Sequence, residues 1–242
     1  MSSEENIVEH QIGRLLIGAA AELPLALCKK LLGLCTDSGS MRRGGVVGPQ
    51  GITRHQIDEV GRVVVKHYVR GGLLRYFMGR RYLKSGEYRS RVEYRMLSKV
   101  RSLGISAPKP IAYVVEGGLW YRTWLLLTEL EGVVALADLA EISGTDRFEQ
   151  ALSRLAEQVE RLIENRVFHV DLHPGNVVVD GSGQIYILDF DKATIFNGKL
   201  NQLRDLYLHR WRRAVIKHNL PESFSELFCS KLRRRFDETK NL

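Results

Sequence analysis

The apolar positions of this chain fall mainly into short, β-like runs in its first half and into helical periodicities in its second. "EVGRVVVKHYV" (59–69) and "APKPIAYVVEGGLWYRTWLLLTELEG" (107–132) are Val-, Leu- and Tyr-rich runs, the latter reading as two strands joined at Glu116–Gly117–Gly118. Between them, "SGEYRSRVEYRMLSKVRSLG" (85–104) spaces Val92, Met96 and Val100 for one face of a helix that stops at Gly104. "DRFEQALSRLAEQVERLIENR" (146–166) repeats Leu152, Leu155, Val159 and Leu162 at helical spacing and is the clearest amphipathic helix. "NVVVDGSGQIYILDF" (176–190) then predicts a short hairpin turning at Gly181–Ser182–Gly183. The C-terminal stretches "LRDLYLHRWRRAVIKHN" and "SELFCSKLRRRFD" are helical and basic.

The most apolar stretch, "IGRLLIGAAAELPLALCKKLLGLC" (12–35), is interrupted by Arg14, Glu22, Pro24 and Lys29–Lys30. It therefore falls short of the ~18 uninterrupted apolar residues of a spanning helix. One or two amphipathic helices packed on the body are expected; the other reading is an interfacial helix whose Lys29 and Lys30 meet lipid headgroups. "TDSGSMRRGGVVGPQG" (36–51) is Gly- and Ser-rich loop. The expected organisation is a helical extension over 1–37, a β-rich lobe over 38–132 and a helical lobe over 133–242.

Composition adds limits. The 242 residues, 44% hydrophobic and 26% charged, fit a soluble globular protein large enough for a real core. A net charge of +8 points to anionic partners, whether nucleotide phosphates, nucleic acid or an acidic membrane surface. Three cysteines (Cys28, Cys35, Cys229) match no zinc spacing and read as reduced, cytoplasmic thiols. The acidic opening "MSSEENIVEH" is unlike a secretory signal.

The polar density of "RVFHVDLHPGNVVVDGSGQIYILDFDKA" (166–193) carries the chemistry. Asp171 and Asn176 sit in a loop entering a strand, and a hairpin can return Asp189 beside Asn176. Taken singly, each is an ordinary turn residue. Together, two carboxylates and an amide oxygen make a hard-oxygen site suited to Mg²⁺ shared with phosphates. "HVDLHPGN" followed by "ILDFDKA" has the H-x-D-L-x-x-x-N and L-D-F form of a kinase-like catalytic and metal loop. Asp171 is then the base acting on a hydroxyl, with Asn176 and Asp189 as metal ligands. His169 braces the loop. His173 stands where protein kinases usually carry a phosphate-directed lysine, so a phosphate-facing role is open for it. No helix carries His169 and His173, so the zinc-protease geometry is absent.

The upstream parts follow from the same logic. A strand lysine should bind ATP phosphates and a helix glutamate should hold it. Lys66, after three valines, is the lysine; Glu93 is preferred to Glu87 as its partner, being nearer the middle of the periodic segment. Gly44 and Gly45 are candidates for a phosphate-covering loop, although they do not spell G-x-G-x-x-G, and a plain surface loop is the other reading. The backbone around Glu129 to Glu131 is where a hinge would meet adenine. The chain ends at Leu242 without an A-P-E motif after Asp191, which favours a small-molecule or glycolipid acceptor over a polypeptide.

Five stretches, "VVVKHYVRGGLLRYFMGRRYL", "SRVEYRMLSKVRSLGISAPKPIAY", "GLWYRTWLLLTELEG", "FHVDLHPGNVVVD" and "IYILDFDKA", give the chain its resemblance to the bacterial lipopolysaccharide kinases over about residues 40–215. Within that family it is similar to those acting on 3-deoxy-D-manno-octulosonic acid (Kdo), including Asp191 in place of the Gly of D-F-G. The resemblance implies an α+β, bilobal protein-kinase-like fold with a β-rich N-lobe and a reduced helical C-lobe. It also implies ATP- and Mg²⁺-dependent phosphorylation of a Kdo hydroxyl, at O-4, on a lipid A precursor at the cytoplasmic face of the inner membrane. Lys66, Glu93, Asp171, Asn176 and Asp189 take the roles given above.

The basic clusters Arg70, Arg75, Arg80, Arg81, Lys84 and Arg210, Arg212, Arg213, Arg233, Arg234, Arg235 would then face an anionic inner-membrane surface. Nucleic acid is not expected as a partner, since no recognised module supports it. The alternatives are a heptose or other sugar kinase, an aminoglycoside-type phosphotransferase (whose loop "HVDLHPGN" is similar to), or a membrane-bound pseudokinase-like binding protein.

Overall fold

Val63, Val64 and Val65 lie in a strand whose two faces do different work. The computed structural model of the chain describes residues 7–36, 51–68, 82–83, 86–142 and 145–239. These residues divide into two units, Met1–Ser98 with Lys109–Glu129 and Lys99–Pro108 with Leu130–Leu242.

In the first unit, β1 (Val8–Ile12), β2 (Leu15–Ala19), β3 (Ile52–Ile57), β4 (Gly61–His67), β5 (Tyr82–Leu83), β6 (Pro110–Gly117) and β7 (Trp120–Thr128) form one antiparallel sheet. Its order is β1-β2-β6-β7-β4-β3, with β5 also paired to β7. Because side chains alternate along a strand, Val63 and Val65 point to one face. There they are fully buried in a core with Leu126, Ile17 and the Cys28–Leu31–Leu32–Cys35 face of α1 (Leu25–Thr36). Lys66, one residue on, belongs to the opposite face, the side taken by α2 (Arg89–Ser102).

Two expectations change here. Helix was expected over 12–35, but residues 8–19 form the β1–β2 hairpin and helix begins only at Leu25. The run Leu15–Ala19 is too short and too flat in periodicity to separate strand from helix, and pairing with β6 decides it. On α2, Val92 is exposed, while Ser90, Glu93, Tyr94, Leu97 and Val100 are buried. The buried face is chosen by polar partners: the Tyr94 hydroxyl accepts from the Ala20 N–H at 2.6 Å, and Glu93 is held by Lys66.

In the second unit, α3 (Asp146–Glu164) starts at Thr145, whose hydroxyl caps the Phe148 N–H, and carries Asp146 and Glu149 in its first turn, where the helix dipole favours them. Its predicted stripe, Leu152, Leu155, Val159 and Leu162, is fully buried. It packs on α5 (Ser223–Thr239), where Phe148 meets Phe224 edge-on at 4.7 Å. In α4 (Leu200–Lys217), Trp211 stacks obliquely on Phe228 and donates from Nε1 to the Phe224 carbonyl at 2.8 Å.

The expected hairpin is β10 (Val177–Val179) with β11 (Ile185–Ile187), extended by β8 (Val134–Ala135). A second small sheet pairs β9 (Val167–Phe168) with β12 (Thr194–Ile195). All three cysteines are free and buried. The α+β architecture with antiparallel sheets is that of the kinase-like fold. Among the described residues, no helix is long and apolar enough to cross a membrane.

Candidate active site

Each unit carries one part of the expected machinery. In the first, the Lys66 ammonium donates to both carboxylate oxygens of Glu93, at 2.9 and 2.8 Å. Glu93 is 1% exposed, and an unpaired carboxylate there would lose its hydration without compensation. The Tyr68 hydroxyl also donates to Glu93, and the Lys66 ammonium lies 5.3 Å from the centre of the Tyr68 ring. Arg89 sits over the same ring at 5.5 Å. Tyr68 was not singled out from the sequence, although two-residue periodicity beyond Lys66 marks it as a residue on the same side. Glu87 instead pairs with Arg95 at 2.7 Å on the surface, in line with the preference for Glu93.

Around the expected hinge, Glu129 pairs through its carboxylate with Arg54 at 2.9 Å, and its N–H donates to the Arg62 carbonyl at 3.0 Å. That N–H is therefore committed within the sheet. Gly44, Gly45 and the cluster Arg70, Arg75, Arg80, Arg81 and Lys84 lie outside the described residues.

In the second unit, the loop from His169 to Asn176 is tied down from several sides. The His169 N–H donates to the Tyr207 hydroxyl at 2.7 Å, and that hydroxyl donates to the Val167 carbonyl at 2.9 Å. His169 Nε2 lies 2.8 Å from the Leu188 carbonyl, so it carries the proton and donates. Arg210 donates to the Val170 carbonyl. Tyr207 and Arg210 come from α4, far along the chain, and no local pattern near the loop points to them. His169 is fully enclosed; burial pushes its pKa down, outweighing the upward pull of the Leu188 carbonyl, Asp189 and Asp171.

These braces hold the backbone on either side of Asp171. The Asn176 side-chain amide donates to the Asp171 carbonyl at 3.0 Å, which turns Asn176 Oδ1 into the atom left for a cation. The Leu188 N–H donates to the Asn176 carbonyl at 2.8 Å, tying the start of β10 to the residue preceding Asp189. Asp189 has φ 59°, the left-handed region that few residues except Gly, Asn and Asp enter readily. The donor set of one carboxylate and one amide oxygen fits Mg²⁺, which is bound through few protein ligands together with phosphates. Among the described residues, no group of three or more His, Cys, Asp or Glu side chains forms a metal cage.

Asp171 is about half exposed, and the Lys192 ammonium lies 3.8 Å from its carboxylate. Lys192 stands within "LDFDKA", and no role was expected for it. The turn closed by the Ala193 N–H and Phe190 carbonyl at 3.0 Å carries Asp191 and Lys192 at its two central positions. His173 caps the short 3-10 turn Pro174–Asn176, its Nδ1 accepting from the Gly175 N–H at 3.1 Å. Its ring stacks on His218 at 5.3 Å, and its pKa is lowered chiefly by burial, with His218 and Lys217 adding and Asp171 opposing. The neutral ring then carries its proton on Nε2, the nitrogen available to a ligand. Asp180 is a turn residue: its Oδ1 accepts from the Ser182 N–H at 2.9 Å and the Gln184 N–H at 3.0 Å.

A paired strand lysine and helix glutamate in one unit, with a braced Asp–Asn loop and a following aspartate in the other, define a kinase. The family profile described as "Lipopolysaccharide kinase (Kdo/WaaP) family" matches residues 35–224. The chain belongs to the lipopolysaccharide kinase (Kdo/WaaP) family, and it is by class a sugar kinase. It is similar to the 3-deoxy-D-manno-octulosonic acid kinase of Stenotrophomonas maltophilia (strain K279a), 32% identical over 186 residues that cover 75% of this chain and 73% of that relative. It is also similar to the protein of the same name from Xylella fastidiosa (strain M12), 29% identical over 182 residues, 73% of this chain and 72% of the relative.

Proposed function

We propose that this protein transfers the terminal phosphoryl group of ATP to a hydroxyl of Kdo, at O-4, on a Kdo-bearing lipid A precursor. The carrying observation is the loop in which Asn176 grips the Asp171 carbonyl while His169, Tyr207 and Arg210 hold the rest of the backbone. Such rigidity suits a base that must meet one hydroxyl in one geometry.

Asp171 accepts the hydroxyl proton as the oxygen attacks the terminal phosphorus; the new O–P bond forms as the bond to the bridging oxygen of ADP breaks. Lys66, oriented by Glu93, binds nucleotide phosphates. Gly44 and Gly45 contribute to the phosphate-covering loop, and the Glu129–Glu131 backbone meets the adenine. Asn176 and Asp189 hold Mg²⁺, which when bound neutralises charge on the phosphates. Lys192 places a cation beside the base, where the transferred group arrives, and His173 offers Nε2–H to the same region.

The enzyme works at the cytoplasmic face of the inner membrane as a peripheral protein. The net charge of +8 favours an anionic surface at roughly 1 kcal/mol per basic residue held near it. Part of the expected C-terminal cluster is used internally: Arg210 holds the catalytic loop and Arg235 bonds Glu160 at 2.6 Å, while Arg213 and Arg233 are exposed.

Incubating the purified protein with ATP, Mg²⁺ and a Kdo-bearing lipid A precursor should add one phosphate by mass spectrometry, with NMR placing it on O-4. An unmodified acceptor under these conditions would refute the assignment.

A further inference from the structure

A cavity of about 430 Å³ opens beside Asp171 within the second unit, bounded by the catalytic loop through His173 and by the C-terminal turns of α4 through Arg210, Arg213, Lys217 and His218. Residues 210, 213, 214 and 217 recur at the three- and four-residue spacing that puts side chains on one helix face. Three of these four are basic, and their situations differ.

Arg210 is committed: its guanidinium holds the Val170 carbonyl and lies 5.4 Å from the centre of the Phe168 ring. Arg213 and Lys217 are exposed at the cavity and form no ion pair among the described residues. Among the described residues, the one carboxylate lining the cavity is Asp171, which faces Lys192 instead. A cation in the last turn of a helix is accounted for by about half a unit of negative charge at the helix end. That explains Lys217 but not Arg213 a turn earlier. The stacked His173 and His218 rings form the adjoining wall.

A general base must touch the hydroxyl that it deprotonates. Whatever fills a cavity lined by Asp171 is therefore the acceptor rather than the nucleotide. Two unpaired cations in its wall ask for an anion on the acceptor, close to the reacting hydroxyl. A sugar acid carries one on the same residue, whereas phosphates elsewhere on a glycolipid lie farther from that hydroxyl.

We infer that Arg213 and Lys217 form an anion subsite that binds the carboxylate of the acceptor sugar and so makes the enzyme selective for a sugar acid. This rests on the sugar-kinase reading above and names what that site selects. A guanidinium fork matches a carboxylate in planar, two-bond geometry, and Lys217 adds a point charge.

The test compares wild type with Arg213→Gln, Lys217→Gln and the double variant on three purified acceptors. These are the Kdo-bearing lipid A precursor, its Kdo carboxyl methyl ester, and the acid form stripped of its lipid phosphates. For wild type, esterification should lower kcat/KM about 10- to 100-fold, the scale of a charge-assisted hydrogen bond, while phosphate removal should change it little. The double variant should raise the KM for the acid by a similar factor, leave the ester almost unaffected, and keep the KM for ATP. Thermal unfolding verifies folding; both side chains are exposed, so the melting temperature should hold.

Equal use of acid and ester by wild type, or equal loss on both in the variants, overturns the subsite. A loss that follows the lipid phosphates instead assigns these cations to the lipid and also overturns it. Failure of wild type on every Kdo acceptor is a separate result: it refutes the proposed function and the subsite with it.

Discussion

Lys66 and Glu93 are joined by two hydrogen bonds of 2.9 and 2.8 Å, with the carboxylate 1% exposed and the lysine held on the sheet face opposite the valine core. Removing the lysine leaves a buried charge without its principal counter-ion, which costs about 3–5 kcal/mol. Lys66→Met should therefore lower unfolding free energy by roughly 3 kcal/mol and abolish phosphoryl transfer. The double variant Lys66→Met with Glu93→Gln should recover much of that stability without recovering activity. Urea denaturation paired with an ATP turnover assay separates the two effects; a double variant no more stable than the single one would show that the pair's charge is not what the fold depends on.

The carboxylates of the 166–193 stretch should divide by function. Asp171→Asn is expected to reduce kcat by about 10²- to 10⁴-fold, the usual contribution of a positioned general base, with the ATP dissociation constant nearly unchanged. Asp180→Ala, which removes the acceptor closing the hairpin turn, should lower stability and leave turnover per folded molecule intact. Equal kcat losses in the two variants would contradict this division.

Gly18 and Tyr113 are cross-strand neighbours, and a Cβ at Gly18 would run into the buried tyrosine ring. The ring has little room to retreat, because its hydroxyl is bonded to Glu9. Gly18→Ala should cost about 1–3 kcal/mol through overpacking. A calorimetric melt unchanged from wild type would mean the ring can swing aside freely.

Acid should destabilise the fold before the carboxylates titrate. His169 is held neutral in the native state, with burial the main cause, and its Nδ1 is enclosed without a hydrogen-bond partner. Its folded pKa lies below the ordinary 6.5, so on acidification the unfolded chain takes up the proton first. Unfolding free energy should then fall as pH drops below about 6.5, with His173 adding in the same direction. Denaturant melts between pH 8 and pH 5 measure the slope, and His169→Gln should flatten it. An unchanged slope in that variant would assign the effect elsewhere.

The elements that read correctly from sequence are those whose own side chains supply the reason. The stripe of α3 buries itself, the Gly-rich bend and Asp180 close their own hairpin, and the valine run needs only its two-residue alternation to place Lys66 on one face. "HVDLHPGN" and "LDFDKA" pointed to the family for the same reason, since the residues of each motif lie close together in the chain. Residues 12–19 were misread as helix because five apolar residues have no decisive period, and their pairing with β6 brings in residues a hundred positions away. Tyr207 was missed, and Arg210 was assigned to a membrane-facing cluster, because both brace the loop from another helix through backbone groups that carry no sequence identity.

The kinase-like motifs and most strands and helices after residue 50 could thus be read from the chain alone, because local periodicity and a compact motif encode them. Tertiary packing alone settled which face of α2 is buried, which arginine holds the loop and which stay exposed at the cavity. Those outcomes depend on partners distant in the chain, and a charged side chain looks the same in sequence whether it is spent on a carbonyl or left facing a cavity.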